Sequence, residues 1–278
     1  MSRSVAEALS ELRGRLTAAG IENPAREARL LVAAALGVGQ DRVSLMQPDT
    51  VPDTAEDQLG AMAARRCGRE PLSHILGLRA FYEHDFHVTR DVLDPRPETE
   101  VLVRAALAVP FDRVLDLGTG SGCILLSLLA ARVGAQGLGT DMSDKALAVA
   151  GKNAQRLDLA ERVTFLRSDW FDHVSGRFDL IVSNPPYIAA SDMAALDPEL
   201  AFEPRAALTD EGDGLGAYRV ICADARNHLI PRGWLMLETG WTQGPEVAAM
   251  MQAAGFDGVR ILPDLDGRDR VVQGCLPA

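Results

Sequence analysis

The amino-terminal part of the chain alternates apolar and polar residues with the period of an α-helix. Four apolar residues recur at intervals of three and four positions: Val5, Leu9, Leu12 and Leu16. This spacing predicts a helix over residues 4–19, because residues three and four apart share one helix face. A second helix is predicted to begin at Pro24, and a third to run from Asp53 to Cys67. Together they predict a small N-terminal helical domain over residues 1–74.

After residue 74 the pattern changes to short runs that are typical of β-strands. The stretch "SHILGLRAFYEHDFHVT" favours a hairpin, and residues 75–94 are therefore predicted to form a β-hairpin linker between two domains. His84 and His87 are three residues apart in one predicted strand, which places them on opposite faces. A metal site formed by this pair is therefore not expected.

Residues 95–278 repeat a short apolar strand followed by a helical segment. The predicted strands of this repeat are "RVLDLG" (113–118), "QGLGTD" (136–141), "RVTFLR" (162–167), "FDLIVSN" (178–184) and "GWLMLE" (233–238). Such β-α units form a parallel sheet with helices on both faces. Two last segments, "GVRILP" and "DRVVQG", are separated only by a short turn, as in an antiparallel pair. The predicted fold class is α/β, a Rossmann-like, seven-stranded, mostly parallel sheet with an antiparallel C-terminal strand.

Composition and charge narrow the possible partners of this fold. With 278 residues and 47 % hydrophobic content, the chain is long and apolar enough to bury a substantial core. Its 39 acidic and 28 basic residues give a net charge of −11, which disfavours broad binding to nucleic-acid phosphates. No C-x-x-C spacing, signal peptide or membrane-length apolar stretch is recognisable. We expect a cytoplasmic, metal-free monomer, with the basic run at residues 65–69 as a solvated helix end or as a contact for ribosome-like or acidic partners.

The loop after the first strand of the sheet is rich in glycine, in "DLGTGSGCILL". Ligands of open α/β sheets bind at the carboxyl ends of such strands, and Gly118, Gly120 and Gly122 let the backbone approach a ligand closely. Because Cys123 occupies the sixth position counted from Gly118, the dinucleotide fingerprint is incomplete, which disfavours a nicotinamide enzyme. An ordinary tight strand-to-helix turn is the alternative interpretation of this loop.

Acidic and aromatic residues follow the next two strands. Asp141 lies 23 residues beyond the first glycine of the loop, where a carboxylate can accept both hydroxyls of a ribose. Alternatively, Asp141 caps the following helix, a role that Ser143 can share. The glycine loop and the acid together favour a nucleoside ligand. After the third strand, Asp169 can meet an adenine amino group and Trp170 can cover a ring face, although core packing explains Trp170 equally well.

The fourth strand ends in the stretch "VSNPPYI". Asn184 precedes a proline and is therefore extended, and the two prolines fix the next turn with little conformational freedom. The Pro185 carbonyl and the Asn184 side-chain oxygen then form two acceptors on a stiff frame, with the Tyr187 ring against a flat ligand surface. These groups predict a site for the NH₂ of a planar amide or an arylamine. A proline-terminated strand that only feeds a loop is the alternative.

A conjugated NH₂ group is a poor nucleophile, because its lone pair is delocalised into the carbonyl or the ring. Acceptors that hold both N–H bonds can turn the lone pair toward an electrophile and favour the transition state over the flat ground state. A methyl sulfonium is a suitable electrophile, since it already carries positive charge. Neither a metal nor a strong general base is then required.

Taken jointly, these motifs resemble the class I S-adenosylmethionine-dependent methyltransferases that modify amide or exocyclic amino nitrogens, above all those acting on release-factor glutamine. The segments that carry the resemblance are "EPLSHILG", "DPRPETE", "LDLGTGSGCILLSLL", "SDWF", "FDLIVSNPPYI", "FEPRAAL", "DGLGAYR", "GWLMLETGWTQG" and "DGRDRVV". "NPPY" alone is shared with adenine methyltransferases. Asp94 stands where the pattern leads us to expect an apolar residue. Pro97 fits a helix start or a ligand contact equally, and Glu203 fits a place at the substrate mouth or a structural role.

The resemblance implies methyl transfer from S-adenosylmethionine to the glutamine of the Gly-Gly-Gln motif in peptide-chain release factors, with S-adenosylhomocysteine as product. The cofactor residues it implies are Gly118, Thr119, Gly120, Ser121, Gly122, Asp141, Trp170 and Asn184. The substrate residues it implies are Asn184, Pro185, Pro186 and Tyr187. The N-terminal domain would recognise the release factor. Three alternatives are methylation of a ribosomal-protein glutamine, adenine methylation of nucleic acid, which the acidic charge disfavours, and a non-catalytic cofactor-binding module, which an intact "NPPY" disfavours.

Overall fold

Residues 3–278 are described in the computed structural model, and Met1 and Ser2, at the start of the predicted N-terminal domain, lie outside the described residues. The chain divides into two units. The first comprises the described residues up to Gly77 together with the segment Pro198–Phe202, and the second comprises Leu78–Asp197 and Glu203–Ala278. The division into domains at residues 74 and 94 stays a prediction.

The first unit is helical. Its helices are α1 (Val5–Ala18), α2 (Pro24–Leu36), α3 (Gln40–Val43), α4 (Asp53–Cys67) and α5 (Leu72–Leu76). A capping box stabilises the start of α1, because Ser4 accepts a hydrogen bond from the Glu7 backbone while the Glu7 carboxylate accepts one from the Ser4 backbone. The three longer helices agree with the predicted ones. The sequence pattern missed α3 and α5, since four or five residues are too few to show a helical period.

The prediction that the basic run at residues 65–69 is a solvated helix end is wrong for Arg66 and Arg69, whereas Arg65 is exposed. Arg66 is only 6 % exposed and donates hydrogen bonds to the carboxylates of Glu27 and Glu199. Arg69 donates to the second carboxylate oxygen of Glu199, at 2.8 Å. Glu199 belongs to the segment Pro198–Phe202 of the same unit. The acidic partners stand far from residue 66 along the chain, so the local sequence gave no sign of this burial.

The second unit begins with a hairpin of β1 (Leu78–Phe81) and β2 (His84–His87), which pair in antiparallel register. Phe81 and Phe86 are buried and meet edge to face, with ring centroids 6.0 Å apart. Within residues 3–278, no cluster of three or more His, Cys, Asp and Glu side chains is arranged to hold a metal ion.

A seven-stranded sheet forms the centre of the second unit. Its strands are β3 (Arg113–Leu117), β4 (Gln136–Asp141), β5 (Val163–Arg167), β6 (Phe178–Ser183), β7 (Leu229–Glu238), β8 (Asp257–Pro263) and β9 (Asp269–Cys275). The spatial order is β5-β4-β3-β6-β7-β9-β8, and β9 runs antiparallel to both of its neighbours while the other strands pair in parallel. The predicted fold class is therefore confirmed, including the antiparallel C-terminal strand.

Helices cover the sheet and continue the alternation of strand and helix. They are α6 (Glu100–Leu107), α7 (Cys123–Ala131), α8 (Asp144–Arg156), α9 (Gly216–Asp224) and α10 (Gly244–Ala253). Strand β3 is buried on both faces, with Val114 in one apolar cluster and Leu115 in the other. This explains why the central strands read as continuous apolar runs. No helix within residues 3–278 is both long and apolar enough to cross a membrane.

The order of the strands places a crevice at one edge of the sheet. Strand β3 pairs with β4 on one side and with β6 on the other, so the direction of the chain crossovers reverses beside β3. Open α/β sheets bind their ligands at the carboxyl ends of the strands next to such a reversal. The segments that leave β3, β4, β5 and β6 at this edge form the candidate site.

Candidate active site

A cleft with about 1060 Å³ of empty space, including its open mouth, lies at the carboxyl ends of these strands. Nine of the residues predicted for the site line it: Gly118, Thr119, Gly120, Ser121, Asp141, Trp170, Asn184, Pro185 and Pro186. Segments before α6 and around residues 204–207 complete the walls. The structure thus brings together residues that lie up to 68 positions apart in the sequence. Gly122 and Tyr187 are not among the described residues that line the cleft.

The glycine loop contains two kinds of glycine. Gly118 and Gly120 have φ of +68° and +55°, and a Cβ added to either would meet no heavy atom of the described residues within 4 Å. The backbone at these two positions therefore faces open space in the cleft, where a ligand can lie against it. A Cβ on Gly122 would instead lie 3.1 Å from Leu126 and 3.3 Å from Ala150. Gly122 thus permits close packing of α7 against α8, and the geometry gives it no direct ligand contact.

Asp141 supports the glycine loop from the end of β4. One carboxylate oxygen accepts a hydrogen bond from the Gly120 backbone at 3.0 Å, and the other accepts from Ser143 at 2.9 Å. The cap of α8 is Ser143, whose hydroxyl accepts from the Ala146 backbone at 3.2 Å. Burial raises the pKa of Asp141, although these backbone donors oppose the rise. Asp141 lines the cleft, and its oxygens keep lone pairs for further donors.

Asp116 lies behind the cleft lining, beside Thr119, and sequence reasoning missed it. It lies in β3, is completely buried, and accepts a hydrogen bond from the Thr119 hydroxyl at 2.7 Å. Its second oxygen has no hydrogen-bond partner within residues 3–278. Burial raises the pKa of Asp116 to about 7, and the nearby Asp141 adds to the rise. An acidic residue inside the apolar run "RVLDLG" was the signal that could have marked it.

Asn184 presents its side-chain oxygen as a free acceptor. Its Nδ2 donates to the Thr99 hydroxyl at 3.4 Å, whereas Oδ1 is buried and has no partner in the part of the chain that the structure describes. The Ser183 hydroxyl donates to the Leu117 carbonyl at 2.7 Å and ties β6 to β3 just before Asn184. Asn184 is thus held in the cleft lining by the end of a buried strand, and the role of its oxygen as an acceptor for the substrate stays a prediction.

Tyr187 and Trp170 differ in how they relate to the cleft. Tyr187 is half-buried against the core, its carbonyl accepts from Gln243 at 3.0 Å, and burial raises the pKa of its phenol to about 12. The predicted contact of its ring with the ligand is not seen in the lining. Trp170 lines the cleft and also packs against the core, and its contact with a ligand ring stays a prediction. Its φ of +44° is rare for a residue with a side chain, which marks a constrained turn.

Two buried carboxylates, Asp94 and Glu203, lie against part-exposed arginines beside the cleft. Arg96 lines the cleft and donates to Glu203 at 2.6 Å, while the Glu203 side chain itself is only 1 % exposed. Asp94 is buried, with an oxygen 3.5 Å from Arg79 and 4.0 Å from Arg96. Ion pairing thus accommodates the acid at position 94. Glu203 pairs with the cleft residue Arg96, and its place at the substrate mouth stays a prediction. Pro97 opens a short 3₁₀ turn, Pro97–Thr99, that leads into α6.

Comparison with known proteins shows which class this fold and cleft define. Residues 89–215 match the family model described as a methyltransferase small domain. A solved methyltransferase from Pyrococcus furiosus has the same fold, with a TM-score of 0.55 and 16 % identity over 72 % of this chain and 92 % of that chain. The second unit is therefore a methyltransferase domain.

Further matches extend over the amino-terminal region and identify the family. Residues 7–77 match the model described as the PrmC N-terminal domain. The chain is 53 % identical to a release factor glutamine methyltransferase of Cereibacter sphaeroides, over 98 % of this chain and 99 % of that protein. It is 48 % identical to one from Rhodospirillum rubrum, over 92 % of this chain and 80 % of that protein. The chain belongs to the release factor glutamine methyltransferase family and is an enzyme of that family.

Proposed function

We propose that the protein transfers a methyl group from S-adenosylmethionine to the side-chain amide nitrogen of the glutamine in the Gly-Gly-Gln motif of peptide-chain release factors. The observation that carries this proposal is Asn184, a residue of the cleft lining whose side-chain oxygen is buried and has no hydrogen-bond partner among the described residues. A free acceptor in that position suits an NH₂ group. The names of the two relatives support glutamine as the residue that bears it.

The cofactor assignment follows from the groups that surround the glycine loop. S-adenosylmethionine supplies, when bound, a methyl group on a positively charged sulfur. The open faces of Gly118 and Gly120 suit its methionine part, and the unpartnered oxygen of Asp116 is a suitable acceptor for its ammonium group. We assign the ribose hydroxyls to Asp141 and the adenine ring to Trp170, which line the same cleft.

The substrate amide is assigned to the turn after β6. The Asn184 Oδ1 atom and the Pro185 carbonyl each accept one N–H of the glutamine side chain, so both hydrogens are held in place. Holding them lets the nitrogen lone pair rotate out of conjugation toward the methyl group, which favours the transition state over the planar amide. The amide nitrogen gives up a proton to water after transfer, so no strong base is needed. The backbone of Tyr187, fixed by Gln243, keeps this turn rigid.

The N-terminal helical domain is the part of the chain that we assign to recognition of the release factor, with the enzyme acting as a cytoplasmic monomer. Residues 7–77 match the PrmC N-terminal domain model, which distinguishes this region from the methyltransferase domain. The net charge of −11 favours a protein substrate over nucleic acid, whose phosphates the acidic surface repels.

The proposal is tested by offering the purified enzyme labelled S-adenosylmethionine and a release factor. Matched controls are the same release factor with Gln→Ala in the Gly-Gly-Gln motif, a glutamine-containing ribosomal protein, and adenine-containing DNA and RNA. We expect label only in the unaltered release factor. Equal labelling of the Gln→Ala factor, or label in a nucleic acid or the ribosomal protein alone, would exclude the proposed substrate.

A further inference from the structure

A hydroxyl group from another part of the chain holds the amide of Asn184. Thr99 ends the 3₁₀ turn before α6, is 2 % exposed and lines the cleft. Its hydroxyl oxygen accepts a hydrogen bond from Asn184 Nδ2 at 3.4 Å. Among the described residues this is the hydrogen bond that the structure gives to the Asn184 side chain, so the orientation of the amide rests on Thr99.

A buried carboxylate lies behind this pair. Strands β6 and β7 are parallel, with Ser183 opposite Leu237, so the next residues along the two strands are Asn184 and Glu238. Glu238 is 1 % exposed, and its two oxygens have no direct hydrogen-bond partner in residues 3–278. Burial raises the pKa of Glu238, and the nearby Thr99 hydroxyl opposes this rise because it favours the ionised carboxylate.

The charged groups around Glu238 determine whether it can serve as an acceptor. Arg270 and Arg96 favour the ionised carboxylate and Glu98 opposes it. Arg270 is itself buried, and its guanidinium donates to the Thr239 carbonyl at 3.2 Å, next to Glu238. Because its pKa is about 7, Glu238 is mainly ionised above that pH, and an ionised carboxylate accepts hydrogen bonds and donates none. A hydroxyl that points its hydrogen at Glu238 therefore turns its lone pairs toward the Asn184 NH₂.

We propose that Thr99 and Glu238 are positioning residues that fix the amide of Asn184 with its oxygen, and not its NH₂, toward the substrate nitrogen. The two ends of an amide have nearly the same shape, and a flipped Asn184 would point a donor at the N–H groups of the substrate. In the order Asn184, Thr99, Glu238, each side chain then donates a hydrogen to the next, so the carboxylate fixes the direction of both hydrogen bonds. The inference rests on the proposed function, since the orientation matters only if an NH₂ group is bound.

The test compares variants that remove or keep the hydroxyl. Thr99→Val keeps the shape and loses the hydrogen bond, and Thr99→Ser keeps the hydroxyl. Thr140→Val is the matched control, because Thr140 is equally buried and its hydroxyl has no partner within the described chain. We expect Thr99→Val to lower kcat for release-factor methylation about tenfold, as the loss of one ordinary hydrogen bond does. The cofactor Kd should be unchanged, and Thr99→Ser and Thr140→Val should stay within about twofold of wild type.

A double-mutant cycle shows whether Glu238 acts through Thr99. Glu238→Gln can donate to the Thr99 oxygen and should also lower kcat, which keeps the proposal testable if Thr99→Val does not fold. If the two act as one unit, Thr99→Val with Glu238→Gln loses about as much as either single variant, whereas independent effects multiply. A multiplicative loss, a Thr99→Ser as slow as Thr99→Val, or full activity of Thr99→Val would overturn the positioning role. An inactive wild type would instead count against the proposed function.

Discussion

Replacing Glu238 by glutamine should make the second unit more stable at alkaline pH. Burial raises the pKa of this carboxyl from an ordinary 4.5 to about 7. The folded state therefore prefers the protonated form more strongly than the unfolded state does. The stability that Glu238 contributes is fully present below pH 4.5 and is lost as the pH rises through 7.

The size of this effect follows from the displacement of the pKa. A rise from 4.5 to about 7 corresponds to about 3 kcal/mol of unfolding free energy once the group is fully ionised, at about 1.4 kcal/mol per unit. Between pH 5 and pH 8.5 the wild type should lose about 2.5 kcal/mol through this residue. Glutamine has the same shape and no charge to bury. The difference in unfolding free energy between Glu238→Gln and wild type should therefore grow by that amount across the interval.

Urea unfolding, monitored by tryptophan fluorescence, measures this difference in the unfolding free energy of the second unit. Trp170, Trp234 and Trp241 all lie in the second unit, so the signal reports its unfolding. Asp116 has a raised pKa too, but it is present in both proteins and cancels in the comparison. The matched control is Glu246→Gln, at an exposed position of α10, which should show no such dependence on pH. A difference between Glu238→Gln and wild type that stays constant from pH 5 to pH 8.5 would show that the Glu238 carboxyl does not carry the raised pKa.

Three further predictions concern the site and the first unit. Asn184→Ala should lower kcat by about 10² to 10³ without changing cofactor affinity, because it removes an acceptor that acts in the transition state; wild-type turnover would contradict this. Asp141→Ala should weaken cofactor binding in calorimetry, since its carboxylate supports the glycine loop and faces the cleft; an unchanged Kd would contradict its assigned role. Arg66→Ala should reduce the hydrogen-exchange protection of α4 by about 3 kcal/mol, because Glu27 and Glu199 lose a buried partner. The control Arg65→Ala, at a more exposed position, should reduce this protection by less than about 1 kcal/mol. Equal losses in the two arginine variants would argue against the buried ion pairs.

The fold of the second unit was predictable because its signals are local. Each strand of the sheet is a short apolar run, and the central strand β3 is buried on both faces, so burial left a direct mark on the sequence. Within the first unit the longer helices followed from their apolar period. The burial of Arg66 did not, because its partners Glu27 and Glu199 are 39 and 133 residues away.

The candidate site likewise contains residues that the sequence predicts and residues that it does not predict. Gly118, Asp141 and Asn184 stand at strand ends, where topology alone brings them to one edge of the sheet. The sequence did not reveal Thr99 or Glu238, because their place beside Asn184 depends on the register of β6 against β7 and on the path of the segment before α6. The same limit applies to Gly122 and Tyr187. Both belong to the sequence motifs, but tertiary packing places Gly122 against α8 and Tyr187 against the core.

The most direct test of the central claim is to locate the methyl group on the substrate. A release factor treated with the enzyme and S-adenosylmethionine is digested, and tandem mass spectrometry assigns the modified residue. We predict one added methyl group on the side chain of the glutamine in the Gly-Gly-Gln motif, absent when Asn184→Ala replaces the wild-type enzyme under the same brief reaction. A release factor that stays unmodified at this glutamine, while another residue or an adenine base gains the methyl group, would contradict the account.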